Sequence, residues 1–451
     1  MINSAPKLSD KEYEENFKEL IAPFTKNGAV AEANRCLYCY DSPCKTACPT
    51  HIDIPGFIKK IATGNLKGSA KTILESNWIA LTCAKACPVE DLCEGACVYN
   101  DKDEKPIEIG RLQRYAIDNY FASGMPKLFN SKDKNGKSVG IIGSGPAGLA
   151  CGAELALLGY DVQIYEGSKI PGGLSTWGIA PYKVRQEDSL KEVELVKSLG
   201  VKIKTGIRIG ESISIDELLT THDAVFIGIG LGESSKLNIP GENLEGIVGA
   251  LSFIENVKKE KWNSVNVGKR VAIIGAGNTA IDAATEAKRL GAEKVNIIYR
   301  RSEDEMPANK FEFRLAKDDG INFHFLTSPI EFSGNHKVEK INCIKMRLGE
   351  KDKSGRRKPV AIKNSEFSID TDMVIFALGQ QANLDFLNSI PDLKISNGCV
   401  IIDEKTYQTN NPKVFAGGDC INGGKETVNA AYDGKRAAHG IDEYLTKDVS
   451  K

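Results

Sequence analysis

Eight cysteines fall in two short stretches: Cys36, Cys39, Cys44 and Cys48 in RCLYCYDSPCKTACPT, then Cys83, Cys87, Cys93 and Cys97 in LTCAKACPVEDLCEGAC. The first run is spaced C-x2-C-x4-C-x3-C and is followed by a proline. Soft thiolates at such spacing can converge on an iron–sulfur cube. In two-cluster ferredoxins the fourth cysteine of a run ligates the other cluster, so the two stretches are expected to fold together around two interlocked cubes. Disulfides and structural zinc are the alternatives. Disulfides fit poorly with an N-terminus, MINSAPKLSDKEYEENFKEL, that is polar and charged where a secretory signal is apolar. The same eight residues could form two zinc sites, but their spacings depart from paired C-x2-C units. Iron–sulfur chemistry is the favoured reading, and a reducing compartment, the cytoplasm, goes with it.

Two dinucleotide-binding fingerprints follow. SVGIIG opens GSGPAGLACGAELALLG and DVQIYEG supplies a second strand, the βαβ setting in which G-x-G-x-x-G is credible. Gly143 permits the tight turn, Gly145 lets a pyrophosphate approach the backbone and Gly148 allows close helix-to-strand packing. Glu166 stands where a carboxylate would accept hydrogen bonds from a ribose. The pattern recurs in RVAIIGAGNTAIDAATEAKRLGAEKVNIIYRR, with Gly275, Gly277 and Ala280 at the fingerprint positions. Here the second strand ends in Tyr299, Arg300 and Arg301, and guanidinium groups at this point can hold a ribose 2′-phosphate that an acid would repel. NADPH is thereby favoured over NADH, the alternative being that Arg300 and Arg301 are solvated surface charges. Late in the chain, NPKVFAGGDCINGGKETVNAAYDGKRAA reads as strand, turn, loop and small-residue helix. A helix N-terminus near Thr427 can face an anion, and Asp419 can accept a hydroxyl from a sugar-like chain, although Gly417, Gly418 and Asp419 equally suit an ordinary turn. Pro146, Ala147, Gly173, Leu174, Asn278 and Thr279 complete the candidate cofactor contacts.

These groups need several domains to hold them, and 451 residues supply two to four. From residue 10 to about 123 there is little strand-like alternation, while IPGFIKKIATGNLKGSAKTILESN and IGRLQRYAIDNYF carry apolar residues at helical spacing. A polar linker over 130–137 then leads into the first strand. The formal net charge of -1, with no long basic block, gives no footprint for nucleic acid or an anionic membrane. The longest apolar runs, VFIGIG and MVIFALG, are far too short to span a bilayer.

The whole chain resembles the NAD(P)H-oxidising subunit of bacterial dihydropyrimidine dehydrogenase and, more distantly, the small subunit of glutamate synthase. The resemblance rests on RCLYCYDSPCKTACP, on LTCAKACPVEDLCEGAC with PIEIGRLQRYA behind it, on GSGPAGLA, on GAGNTAIDAA with YRR, and on AGGD. It implies a multidomain fold: an N-terminal α-helical ferredoxin-like domain followed by two α/β Rossmann-like domains. The boundaries are drawn at 1–129 for the helical domain with two 4Fe-4S clusters, 137–250 and 376–451 for the two parts of an FAD domain, and 251–375 for an inserted NAD(P)H domain. It further implies Cys36, Cys39, Cys44 and Cys97 as ligands of one cluster and Cys48, Cys87, Cys93 and Gln113 as ligands of the other, with Cys83 a spare thiol. Read without the family, Gln113 is a plain helix residue in GRLQRYA.

The implied chemistry is hydride transfer from NAD(P)H to FAD, then single-electron steps through the clusters, so no catalytic acid or base is demanded. His51, His222, His324, His336 and His439 stand in no recognisable triad or metal motif. Cys151, Cys343, Cys399 and Cys420 are scattered, which disfavours a disulfide reductase. In longer family members a separate FMN-containing barrel reduces the pyrimidine, and this chain has no room for a barrel of about 250 residues. An FMN-containing dihydropyrimidine dehydrogenase catalytic subunit is therefore the expected partner. A glutamate synthase small subunit, an NAD(P)H:ferredoxin oxidoreductase and a non-enzymatic zinc- and nucleotide-binding module are the other readings; CPVEDLCEGAC favours the pyrimidine branch.

Overall fold

The computed structural model describes residues 3–351 and 355–447. The chain forms two compact units: one spans Ile21–Thr176, Lys183–Gly232 and the segment from Ala382, the other the segment up to Leu20, Trp177–Tyr182 and Glu233–Gln381.

The first unit opens with the helices Lys26–Arg35, Ile54–Ala62, Leu66–Leu74, Ala80–Ala86 and Ile109–Ala122. Polar side chains start three of them: Thr25 accepts from Gly28 N, Asp53 from Gly56 N and Asn65 from Gly68 N, each satisfying a donor that the first helical turn leaves without a partner. Ile54, Phe57, Ile58 and Ile61 recur at helical spacing and all are buried. They belong to one apolar cluster with Ile73, Leu112 and Ala116 that runs on into Val139, Ile141 and Leu149 of the following α/β part. That part is a parallel sheet in the order Val414–Ala416, Ala224–Ile227, Ser138–Ile142, Asp161–Glu166, Lys202–Thr205. The late strand adds to an edge of the sheet, so residues 414–447 close a fold begun near residue 138.

Polar contacts fasten the helical part to this α/β part within the same unit. Helix Gln186–Ser198 lies against helix Ala80–Ala86: Lys85 Nζ meets Asp188 at 2.5 Å with side chains only 5% and 7% exposed. The buried Glu192 carboxylate accepts from Leu81 N at 2.7 Å, Thr82 N at 3.0 Å and Thr82 Oγ1 at 2.5 Å. Trp78 Nε1 donates to Glu154 at 3.3 Å, and His439 and Lys435 reach the same carboxylate at 3.3 and 3.7 Å.

The second unit repeats the architecture, with a parallel sheet in the order Ile247–Gly249, Met373–Phe376, Arg270–Ile274, Lys294–Ile298, Asn322–His324. A three-stranded antiparallel sheet, Arg357–Asp370, Lys340–Lys351 and Thr327–Ser333, accompanies it. Its first two strands form a long hairpin. The division of the chain differs from the boundaries drawn on sequence. The opening residues, assigned there to the helical domain, belong here: Ala5, Tyr13 and Phe17 are buried in one cluster with Phe253, Val257 and Leu290, Ala5 N donates to Val267 O at 2.8 Å, and Phe17 stacks on Trp262 at 4.7 Å. Among the described residues no helix is long and apolar enough to cross a membrane.

Candidate functional site

All twelve cysteines are free thiols. Cys36, Cys39, Cys44 and Cys97 line one small cavity of about 30 Å³, walled otherwise by apolar groups such as Leu37, Ile54, Ile58 and Ile109. Within and just after the first cysteine run the chain turns sharply at Tyr38, Ser42 and His51, which hold positive φ of 52°, 25° and 52°, a conformation that costs a non-glycine residue roughly 1–2 kcal/mol. The thiols also sort electrostatically. Cys36 is raised above the usual thiol range by burial and by Cys39 and Cys97; Cys44 is pushed up to about 12 by burial and by Cys36, Cys97 and Cys39. A second group forms nearby. Cys87 is raised by a hydrogen bond its thiol donates to Cys83, by burial and by the charges of Cys83, Cys93 and Cys48; Cys93 is raised by burial, by Glu94 and by Cys48. Thiols crowded in this way ionise together only beside a strong positive charge, which is what the irons of a cluster supply. Among the described residues no three His, Cys, Asp or Glu side chains are close enough to hold one metal ion; the first four thiols are spread around a cavity instead.

Gln113 is buried on helix Ile109–Ala122 and its Nε2 donates to the Ala80 carbonyl at 2.7 Å. That bond uses one of the two N–H groups of the amide nitrogen and turns Oε1 away from the Ala80 carbonyl. Cys83, the spare thiol of the sequence reading, sits one helical turn before Cys87, whose N–H donates to Cys83 O at 3.0 Å.

In the same unit the first glycine turn forms a cradle. Gly143 holds φ +96° and ends the strand Ser138–Ile142; Gly173, at φ +59°, would bring a Cβ to 2.7 Å from the Gly145 Cα. Ser144 N and Oγ donate to Glu166 Oε2 at 2.9 and 2.6 Å, and Ser168 N to Glu166 Oε1 at 2.7 Å, which fixes the carboxylate at the end of its strand. Pro146 and Ala147 start the helix that leaves this turn, and Leu174 is exposed beside Gly173. The late segment closes on the same place: Gly418 packs where a Cβ would meet Ala147 Cβ at 3.1 Å and Ala430 Cβ at 3.5 Å, and its N–H donates to Asp433 at 3.1 Å. Burial raises Asp419, opposed by a hydrogen bond from Lys425 N. Thr427 begins the 21-residue helix that carries Ala430 and Asp433. Just before it, Glu426 is raised by burial while feeling Lys183, Asp91 and Asp419; Asp91 lies in the loop between Cys87 and Cys93, so the second thiol group and the flavin-type cradle are neighbours.

The second unit holds a cavity of about 530 Å³ at its glycine turn, lined by Gly275, Gly277, Thr279, Arg300 and Arg301, large enough for a dinucleotide's end. Asn278, expected as a cofactor contact, is not among its lining residues: its Oδ1 accepts from Asn309 N at 3.0 Å. Ser234, Ser235, Lys236, Arg356 and Gln380 do line the cavity and were missed. They come from segments without a motif, brought in by the sheet, and only a three-dimensional register reveals them.

Comparison with known proteins agrees with this architecture. Residues 13–125 match the family model of dihydropyrimidine dehydrogenase domain II, 4Fe-4S cluster, and residues 137–434 that of pyridine nucleotide-disulphide oxidoreductase. The chain is 35% identical over 445 residues to the glutamate synthase (NADPH) small chain of Escherichia coli (strain K12), covering 95% of this chain and 94% of that one. It is 34% identical over 427 residues to the NAD-dependent dihydropyrimidine dehydrogenase subunit PreT of the same organism, covering 95% and 97%. FprA from Mycobacterium tuberculosis in complex with NADPH is similar in fold, with a TM-score of 0.58 at 20% identity over 69% of this chain and 85% of that one. The helical cysteine domain ahead of two parallel-sheet folds is therefore a family trait, and the cofactors are FAD, a nicotinamide nucleotide and 4Fe-4S iron–sulfur. The chain belongs to the pyridine nucleotide-disulphide oxidoreductase family, in the group that carries a 4Fe-4S domain of the dihydropyrimidine dehydrogenase type and includes the glutamate synthase small chain and PreT.

Proposed function

We propose that this chain is an electron-input subunit: it takes reducing equivalents from NAD(P)H at the second unit and delivers single electrons, through two 4Fe-4S clusters, to a partner FMN subunit that reduces uracil or thymine to the 5,6-dihydro forms. The chemistry supplied by the bound flavin and clusters is the conversion of a two-electron hydride into single-electron steps. The side chains hold those groups. Cys36, Cys39, Cys44 and Cys97 are the thiolate set of one cluster, and Cys48, Cys87 and Cys93 with Gln113 Oε1 that of the other. Glu166 would accept the adenosine ribose hydroxyls, the backbone at Gly143, Gly145 and Gly148 would lie against the pyrophosphate, and Asp419 and Thr427 would face the sugar-like chain that joins the pyrophosphate to the flavin ring. Gly275, Gly277 and Thr279 take the nicotinamide nucleotide's pyrophosphate, and the Arg300 end of its strand the adenosine ribose, with NADPH the favoured coenzyme. No side chain is required as acid or base, and a chain so rich in thiols belongs in a reducing compartment, the cytoplasm.

One observation carries the reading. Thiols from two separated segments gather into two groups inside the same compact unit as the flavin-type cradle, an arrangement suited to electron hops and without use in a plain nucleotide-binding module. The chain's identity to a glutamate synthase small chain supports a second destination for the electrons, the large chain of such an enzyme. Purified alone under argon, the protein is expected to oxidise NAD(P)H with an artificial dye and to leave uracil and thymine untouched. Pyrimidine turnover by the lone chain defeats the subunit reading, and the protein that co-purifies from the native host decides between the two destinations.

A further inference from the structure

The hairpin of the second unit ends next to the nucleotide cavity, and its residues have no part in the fingerprint. Arg356, exposed at the turn between Lys340–Lys351 and Arg357–Asp370, lines the 530 Å³ cavity together with Arg300 and Arg301 and also lines an adjoining cavity of about 470 Å³. The charged residues of the first cavity are Lys236, Arg300, Arg301 and Arg356, all cationic. The two neighbouring arginines at the strand end differ. Arg301 is 5% exposed and its Nε donates to the Arg357 carbonyl at 2.9 Å. Arg357 N in turn donates to Glu305 Oε2 at 2.9 Å, a carboxylate 3.9 Å from Arg301. Glu305 is itself held where Tyr299 Oη donates to its carbonyl at 2.7 Å. The strand end therefore grips both sides of the Arg357 peptide, and the residue before it, Arg356, is delivered to the cavity. Arg300 is exposed there.

We infer that Arg300 and Arg356 are the pair that takes the 2′-phosphate of NADPH, and that Arg301 is a positioning residue that holds the hairpin in place. The inference rests on the coenzyme reading above. Two guanidinium groups from separate segments of the chain offer forked donors to a phosphate dianion from two directions, which a lysine or a single arginine does not. An arginine whose Nε is committed to a backbone carbonyl is better suited to bracing than to ligand binding.

The test uses the full chain with its flavin and clusters, and calorimetric titration with 2′,5′-ADP and with 5′-AMP, which differ by the one phosphate. Wild type is expected to bind 2′,5′-ADP at least about tenfold more tightly than 5′-AMP. Arg300→Gln and Arg356→Gln are each expected to weaken 2′,5′-ADP about tenfold or more, as loss of a charge-assisted contact implies, and to leave 5′-AMP within about twofold. Arg301→Gln should weaken 2′,5′-ADP as well, but with faster hydrogen exchange in the backbone from residue 357 onward, a change the other two variants lack. Wild-type preference for 2′,5′-ADP that survives intact in Arg356→Gln overturns the inference. Equal binding of the two nucleotides by wild type overturns the coenzyme reading on which it stands.

Discussion

Gln113 is the residue on which the second proposed cluster turns, because the proposed ligand set puts an amide oxygen in place of the fourth thiolate. Its side chain is 7% exposed and its nitrogen is anchored to the Ala80 carbonyl, and the oxygen is the atom with lone pairs to offer an iron. Gln113→Leu keeps the bulk and removes the oxygen. The expected outcome is loss of about half of the iron and labile sulfide, because one of two clusters loses a ligand, while Gln113→Cys keeps the iron and alters the low-temperature electron paramagnetic resonance spectrum. Wild-type iron and an unchanged spectrum in Gln113→Leu would remove Gln113 from the ligand set. The two cysteine runs were legible in the sequence because thiol spacing is itself the signal, whereas their division into two ligand sets, with Cys83 left out, came from the family resemblance. Gln113 was not, since an amide in a helix such as GRLQRYA looks like any solvated helix residue, and only the family context singled it out. Asn278 occupies a fingerprint position, and what its sequence context does not reveal is that its side chain accepts from Asn309 N.

Helix Gln186–Ser198 is rich in acid, and two of its carboxylates, Asp188 and Glu192, are four residues apart and buried against the helix that carries Cys83 and precedes Cys87. Periodicity cannot reveal this, because acidic residues at a helical spacing are ordinarily the wet face. Asp188 is penalised by burial, yet Lys85 and then Lys191 hold it below its ordinary range. Glu192 is governed differently: burial pushes it up to about 7, with Asp188 adding to the rise, against the opposing hydrogen bonds from Thr82 and Leu81. Its folded value lies above the 4.5 of the free group, so the folded protein retains a proton that the unfolded chain releases. The stabilisation this gives is complete below about pH 4.5 and is lost as pH rises through 7, at about 1.4 kcal/mol per pH unit inside that window. Glu192→Gln cannot ionise. The difference in thermal midpoint between wild type and Glu192→Gln, scanned at one rate in matched buffers, should therefore shift against wild type from pH 5 to pH 7.5. Parallel curves would mean that Glu192 titrates in the folded protein as it does in the unfolded one.

The two units have the same five-stranded parallel plan, and that much was visible as two glycine fingerprints, each between two strand-like runs. What the sequence order concealed is how the chain shares itself between them. The nucleotide unit is assembled from three segments, and the earliest was placed in the helical cysteine domain, the segment that follows it in sequence. Tyr13 and Phe17 are 2% and 1% exposed, one helical turn apart, in the core of the nucleotide unit. Truncating a buried aromatic of this kind costs about 3–5 kcal/mol, the transfer of its ring plus the cavity left behind. Phe17 stacks on Trp262 and shares a cluster with Phe253 and Val257, so the cost of Phe17→Ala should fall on the nucleotide unit, far along the chain from the substitution. Hydrogen exchange should speed up in peptides covering 250–292, with the flavin absorbance and iron content kept, and exchange in the strands Ser138–Ile142 and Asp161–Glu166 should remain at the wild-type rate. Faster exchange in the cysteine helices, with the 250–292 peptides still protected, would return the first twenty residues to the domain that follows them in sequence.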